Sequence, residues 1–124
     1  MTSATVLLRQ IHPTFVQQGR PTSQAFRPTP KDEDRLSVYD GDKIAPQPAW
    51  EHYTTTLALQ SAGVMGVTVE ECAALDLGVS EDAATFAEHC LIDFTGLAKS
   101  IVEQKAKLLV QLAIQRDWLF HYAS

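Results

Sequence analysis

The sequence lacks most of the spacings that announce a chemistry. Of its 124 residues only two are cysteine, Cys72 and Cys90, and neither belongs to a CxxC pair. That removes zinc ribbons and thioredoxin-like redox centres, which need such pairs. The two thiols fall on different expected elements and read as reduced, buried side chains of a cytosolic protein. There is no HxH, no HExxH and no Cys/His spacing of the kind that ligates a metal, so none is expected. GxGxxG and the P-loop are missing, and with them the usual cradles for dinucleotide and nucleotide phosphates, so no cofactor is expected either. Neither GxSxG nor SxxK occurs, which leaves every serine without the surroundings of a standard nucleophile. No apolar run is long enough to cross a bilayer, and MTSATVLLRQ lacks the basic stretch and long apolar core of a secretory signal. A cytoplasmic protein with no membrane partner is the expectation.

Positive charge is scarce as well. Ten Lys and Arg face fifteen Asp and Glu, for a net charge of −5. A duplex nucleic-acid surface needs clustered cations, so duplex nucleic acid is not an expected partner. The basic residues that exist are weighted to the first third (Arg9, Arg20, Arg27, Lys31, Arg35), and acids crowd residues 70 to 93. This asymmetry suits a small anion at the N-terminal part, or a basic protein partner at the acidic part.

What is present is enough for one α+β domain over residues 1–124. Apolar residues make up 45% and charged residues 20%, ordinary proportions for a globular chain of this length. Residues 5 to 12 read as a first strand ended by Pro13, with Leu7, Arg9 and Ile11 on one face and Leu8, Gln10 and His12 on the other. Residues 14 to 21 read as a turn, Ser23 to Arg27 as a short strand, and Arg35 to Tyr39 as a further strand closed by the Asp40-Gly41-Asp42 turn. A helix is expected from Ala49 to Gln60, with Trp50, Tyr53 and Leu57 on its buried stripe. Val64 to Val67 reads as a strand. The next helix carries a capping box at Thr68 and Glu71 and a left-handed exit at Gly78. Residues 79 to 87 read as loop and Glu88 to Phe94 as a strand. A long C-terminal helix, Leu97 to Arg116, should bury Ile101, Leu108, Leu109, Leu112 and Ala113, and the tail from Asp117 hints at a closing strand. Strands first and mixed elements later point to a small mixed or antiparallel sheet with two or three packed helices.

Against this frame a few side chains stand out. Arg9 is a cation in mid-strand among leucines and isoleucine, so it must be paired or face a pocket. Arg9, Arg27 and Ser37 are the candidate ligand-binding residues, the arginines because their forked donors fit carboxylate or phosphate. His12 and His89 each stand at a strand end, where a side chain reaches a cleft most readily, and they are the candidate acid–base groups. Ser23 is the candidate nucleophile. Each has a plainer role open to it: Thr22 and Ser23 can satisfy turn backbone, and a lone histidine can be structural.

The segments RQIHP, GRPTSQAFRP, LSV and EHCLIDF together resemble a family of small bacterial proteins with RxxHP, SxAF and LSV segments, over most of the chain. The resemblance implies a bacterial cytosolic protein and brings no activity with it. A second likeness is to the ADP-ribosyltransferase core, on which Arg9, Thr22-Ser23 and Glu88 would map in order. The functional expectation is an anion-binding cleft built from Arg9, His12, Ser23, Ser37 and His89, with group transfer as one use of it. The alternative is an acidic, non-enzymatic binding protein of the immunity or antitoxin type. A homodimer through Trp118, Phe120 and Tyr122 is a third expectation.

Overall fold

A computed structural model of the chain describes residues 1–122. The chain begins with strand β1 (Val6–Ile11), a 3-10 turn at Pro13–Phe15, and a two-residue ribbon of β2 (Val16–Gln17) and β3 (Arg20–Pro21). Two further 3-10 turns, Ser23–Phe26 and Pro30–Asp32, lead to β4 (Arg35–Asp40). Helix α1 (Pro46–Glu51) runs directly into a π-helical turn, His52–Thr56. Then come β5 (Gly63–Thr68), α2 (Val69–Ala74), β6 (Gly78–Glu81), β7 (His89–Asp93), α3 (Lys99–Arg116) and β8 (Phe120–His121).

Apart from the ribbon, the strands form one antiparallel sheet in the order β6-β7-β4-β1-β5-β8. Both faces are covered. On one, Leu7, Ile11, Leu36, Val38, Met65, Val67, Cys90 and Ile92 meet Ala106, Leu109, Val110 and Ala113 of α3, with Phe26 and Cys72 beside them. On the other, Leu8, Tyr39 and Val64 meet Ala49 of α1, flanked by Trp50, Tyr53 and Phe86. This is the α+β architecture expected, with the long C-terminal helix packed on the sheet.

The centre of the sheet is irregular. β1 pairs with β5 along its whole length, from Val6↔Thr68 to Ile11↔Gly63, and β4 pairs with β7 from Arg35↔Asp93 to Tyr39↔His89. Between β1 and β4 the register holds only at Leu7↔Asp40 and Leu8↔Tyr39. Beyond Leu8 the two central strands part. At the closed end Gly41 lets the turn approach β1: a Cβ there would lie 2.2 Å from the Val6 carbonyl oxygen.

Several local expectations are corrected. Ser23–Phe26 is a 3-10 turn and not a strand: the Ala25 N–H donates to the Thr22 carbonyl and the Arg27 N–H to the Gln24 carbonyl, bonds three residues apart that curl the chain and put Ala25 and Phe26 together in the core. The exit from α2 is made by Asp76 at φ +57 and not by Gly78, which opens β6. Leu77 is buried and donates its N–H to the Cys72 carbonyl, so the chain must reverse before it. Residues 78 to 81 are an edge strand where loop was expected; only Val79 is half-buried, so no apolar alternation marks it. Helix α1 starts three residues early, its first turn holding Pro46 and Pro48, where a missing N–H breaks no bond. In α3, Ile101 and Leu108 face solvent, and the buried stripe runs through Ala106, Leu109, Val110 and Ala113. The capping box at Thr68 and Glu71 is present. The tail does form a short edge strand on β5; its last two residues lie outside those described.

Candidate functional site

Where β1 and β4 part, the Arg9 side chain takes the place of a ladder partner for one carbonyl of β4 and reaches the preceding 3-10 turn as well. Its Nε donates to the Ala25 carbonyl at 2.8 Å, and its Nη1 donates to the Ser37 carbonyl of β4, also at 2.8 Å. One side chain therefore ties β1 to the 3-10 turn on one face and to the neighbouring strand. Nη2 has no hydrogen-bond partner among the described residues, and Arg9 lines two adjoining cavities. Burial lowers its pKa from the ordinary value, opposed by the nearby acidic groups Tyr53 and Asp32. A guanidinium starts so far above neutrality that it stays cationic there.

The first cavity, about 510 Å³, is walled by Arg9, Gln10, His12, Phe15, Arg27 and Tyr53 among others. The second, about 350 Å³, shares Arg9, Gln10, Asp32 and Tyr53 with it and continues over Ser37, Tyr39, Leu57, Leu59, Phe86 and His89. The shared residues make them two lobes of one groove. Both volumes fall in the range of small-molecule sites.

Gln10 sits at the junction with only 6% of its surface exposed. Its Oε1 accepts from the Ser61 hydroxyl at 2.7 Å, while Nε2 is buried without a partner among the described residues. Arg27 contributes a second incompletely paired cation: its Nε is buried without a partner, and its Nη1 lies 3.9 Å from Glu103. An orphaned buried donor carries a desolvation cost that a ligand acceptor would remove.

At the far end of the second lobe stands His89, 7% exposed. The β6–β7 hairpin brings Asp82 beside it, so that His89 Nδ1 lies 3.0 Å from Asp82 Oδ2. The Thr85 hydroxyl donates to the same oxygen at 2.6 Å. The Thr85 bond, with help from His89, outweighs partial desolvation and holds the Asp82 carboxyl below its ordinary pKa. At neutral pH Asp82 is thus an acceptor only, and His89 Nδ1 carries the proton. Phe86 packs on His89 and on Tyr39, with ring centroids 4.9 and 5.0 Å apart. The Tyr39 hydroxyl lies 2.7 Å from His52 Nδ1, and burial raises its pKa well above the usual phenol value.

The groove gathers Arg9, Ser37 and His89 on one lobe and Arg9, His12 and Arg27 on the other. His12 also has a local task, accepting the Thr14 N–H on Nδ1 at 3.1 Å to cap the first 3-10 turn. Ser23 lines neither lobe; with Thr22 it stands at the start of the 3-10 turn. No serine hydroxyl is hydrogen-bonded to His89 among the described residues. Sequence reading missed Gln10, Tyr53, Asp82 and Phe86. Gln10 carried the same signal as Arg9, a polar residue inside a buried strand. Asp82 could be found only by recognising β6, whose pairing with β7 sets its position. Among the described residues no group of three His, Cys, Asp or Glu side chains is placed to hold a metal, and no helix is long and apolar enough to cross a membrane.

Comparison with protein-family models, with curated proteins and with solved structures finds no match to the chain.

Proposed function

We propose that the protein binds a small anion in the groove between β1 and β4, with Arg9 as its anchor. One observation carries the reading: Arg9 is fixed by two backbone carbonyls through Nε and Nη1, its Nη2 has no hydrogen-bond partner among the described residues, and the side chain lines two adjoining cavities. A cation so held loses little freedom on binding, the condition under which a forked donor discriminates between ligands. Arg27 adds positive charge to one lobe and His89 a group able to exchange a proton in the other, so the groove has the parts for group transfer as well as for capture.

The acidic stretch from Glu70 to Asp93 gives less support to a basic protein partner. Glu71 pairs with Arg116 and Glu81 with Lys43, so part of that charge is balanced within the fold.

The test is a thermal-shift titration with inorganic phosphate, acetate and benzoate on the wild type and on Arg9→Gln. At least one anion should raise the Tm by several degrees at about a hundredfold excess over its Kd, and lose that effect in the variant. A shift that persists in a cooperatively melting Arg9→Gln, or no shift with any of the three, would overturn the reading.

A further inference from the structure

An anion held at Arg9, the reading on which this inference rests, does not meet Arg9 alone. The two lobes share Arg9, Gln10, Asp32 and Tyr53, so a cation and a carboxylate stand together where the lobes join. They do not neutralise each other by contact. Arg9 commits Nε and Nη1 to backbone carbonyls, Asp32 Oδ2 accepts the Thr29 hydroxyl at 2.8 Å, and no Arg9–Asp32 ion pair forms among the described residues. The carboxylate is still near enough to oppose the lowering of the Arg9 pKa by burial. A lone anion at Arg9 therefore sits in the repelling field of Asp32, and a lone cation at Asp32 in that of Arg9. A ligand with one charge of each sign turns both repulsions into attractions.

The loop that presents Asp32 is strained. Asp32 ends the 3-10 turn Pro30–Asp32, and the chain then reverses through Glu33 and Asp34, both left-handed at φ +57 and +59. A glutamate seldom enters that region, and strain of this kind gathers at ligand sites. The Phe94 N–H holds the reversal by donating to the Asp34 carbonyl at 2.9 Å. The two lobes differ in what they add to the shared residues. Arg27, His12 and Thr14 are among the further walls of the first, and Leu57, Leu59 and Phe86 among those of the second. Leu57 and Leu59 are 37% and 49% exposed, apolar surface left wet at the mouth of a cavity. The apolar part of a ligand belongs in that second lobe.

We propose that the groove takes a free α-amino acid with an apolar or aromatic side chain, and that Asp32 sets this specificity. The carboxylate lies on Arg9 Nη2, the ammonium on Asp32, and the side chain against Leu57, Leu59 and Phe86. Both ligand charges stem from one carbon, which suits two opposite charges gathered at one junction.

Calorimetric titration with L-phenylalanine, 3-phenylpropanoate, 2-phenylethylamine and glycine tests this. The wild type should bind phenylalanine about fivefold more tightly than 3-phenylpropanoate, which lacks the ammonium; that is the worth of one exposed charge pair. The amine, which lacks the carboxylate, should bind more weakly than either. Glycine, which lacks the ring, should bind at least about tenfold more weakly than phenylalanine. Asp32 is exposed, so Asp32→Asn should fold as the wild type does, with the Asn carbonyl still accepting the Thr29 hydroxyl. In that variant 3-phenylpropanoate should bind more tightly than phenylalanine. Phenylalanine binding no better than 3-phenylpropanoate, the amine or glycine, or a preference for it that survives Asp32→Asn, would overturn the inference. Arg9-dependent binding of phosphate or 3-phenylpropanoate beside any of these results leaves the anion reading standing. Loss of all Arg9-dependent binding would remove both.

Discussion

Arg9 and Gln10 are sequence neighbours whose side chains leave opposite faces of β1, yet both reach one groove because the pairing of β1 with β4 stops at Leu8. Their energetic roles differ. Arg9 stands in for one missing ladder bond, at the Ser37 carbonyl, and ties down the 3-10 turn through the Ala25 carbonyl, so Arg9→Ala should lower unfolding free energy by about 1–3 kcal/mol in urea titrations while the transition stays cooperative. An unchanged midpoint would mean that water satisfies the Ala25 and Ser37 carbonyls as well as the guanidinium does. Gln10 is the opposite case: a nine-tenths buried amide with an unpaired end costs stability. Gln10→Leu keeps the volume and removes the orphan, and frees the single Ser61 hydroxyl hydrogen for the Gly63 carbonyl, 2.9 Å from Oγ. The variant should be as stable as the wild type or more stable by up to about 1 kcal/mol, and should lose anion binding. A clear loss of stability would instead make Gln10 a structural residue.

At the scale of elements, α2 concentrates its contacts in one carboxylate. Glu71 accepts the Thr68 N–H at 2.8 Å to complete the capping box, and takes a forked bond from Arg116 at 3.0 and 3.2 Å. Partial burial acts to raise its pKa, but the Arg116 and Thr68 bonds together outweigh it and leave the carboxyl below its ordinary value. The folded state therefore favours the ionised form. Its contribution is complete above the unfolded carboxyl value, about 4.3, and is lost as pH falls through the lower folded value. Glu71→Gln should flatten the fall of stability with pH below that point; Asp82 and Asp93, depressed by Thr85 and Thr95, account for the slope that remains. A slope equal to that of the wild type would show that Glu71 does not take part. Helix α3 gives a second check. Its sequence carries apolar residues on more than one stripe, so periodicity pointed to Ile101 and Leu108 although the small residues Ala106 and Ala113 face the sheet. Leu108→Glu, at 40% exposure, should change stability by no more than about 0.5 kcal/mol. Ala106→Leu should cost about 1–3 kcal/mol by overpacking. The same logic says what was legible from sequence. β1, β4, β7 and the cap of α2 alternate or carry specific end residues, and their faces could be read directly. β6 lies on an exposed edge with little to bury, and Ser23–Phe26 buries two consecutive residues, so neither shows a period. Arg9 stood out by charge alone; the site around it could not, since it exists only because two central strands separate, a long-range property of the sheet.

For the molecule as a whole, that separation raises the question of whether the sheet unfolds as one body. β1, β5 and β8 lie on one side of the seam and β4, β7 and β6 on the other, joined by two residue pairs, by Arg9, and at the closed end by the Gly41 N–H on the Val6 carbonyl and the Thr5 hydroxyl on Asp42. The two cysteines report on the two sides. Cys72 is on α2, which follows β5, and Cys90 is on β7; both are buried and free. Burial pushes their thiol pKa values up to about 12 and about 11, so almost no thiolate exists near pH 8 and a disulfide reagent must wait for opening. The seam is covered, however. One continuous core holds Leu7, Ile11, Met65 and Val67 from the first side and Leu36, Val38, Cys90 and Ile92 from the second, with Leu109, Val110 and Ala113 of α3 packed into it. Separating the sides would expose that whole apolar surface, which makes a half-open state costly. Cys72 and Cys90 should therefore react with an aromatic disulfide at the same rate, with the same urea dependence, and that rate should follow the global unfolding equilibrium. Faster labelling of Cys90, at a shallower urea slope, would mean that the groove opens through the sheet as a separate unit, and that binding there is coupled to local unfolding.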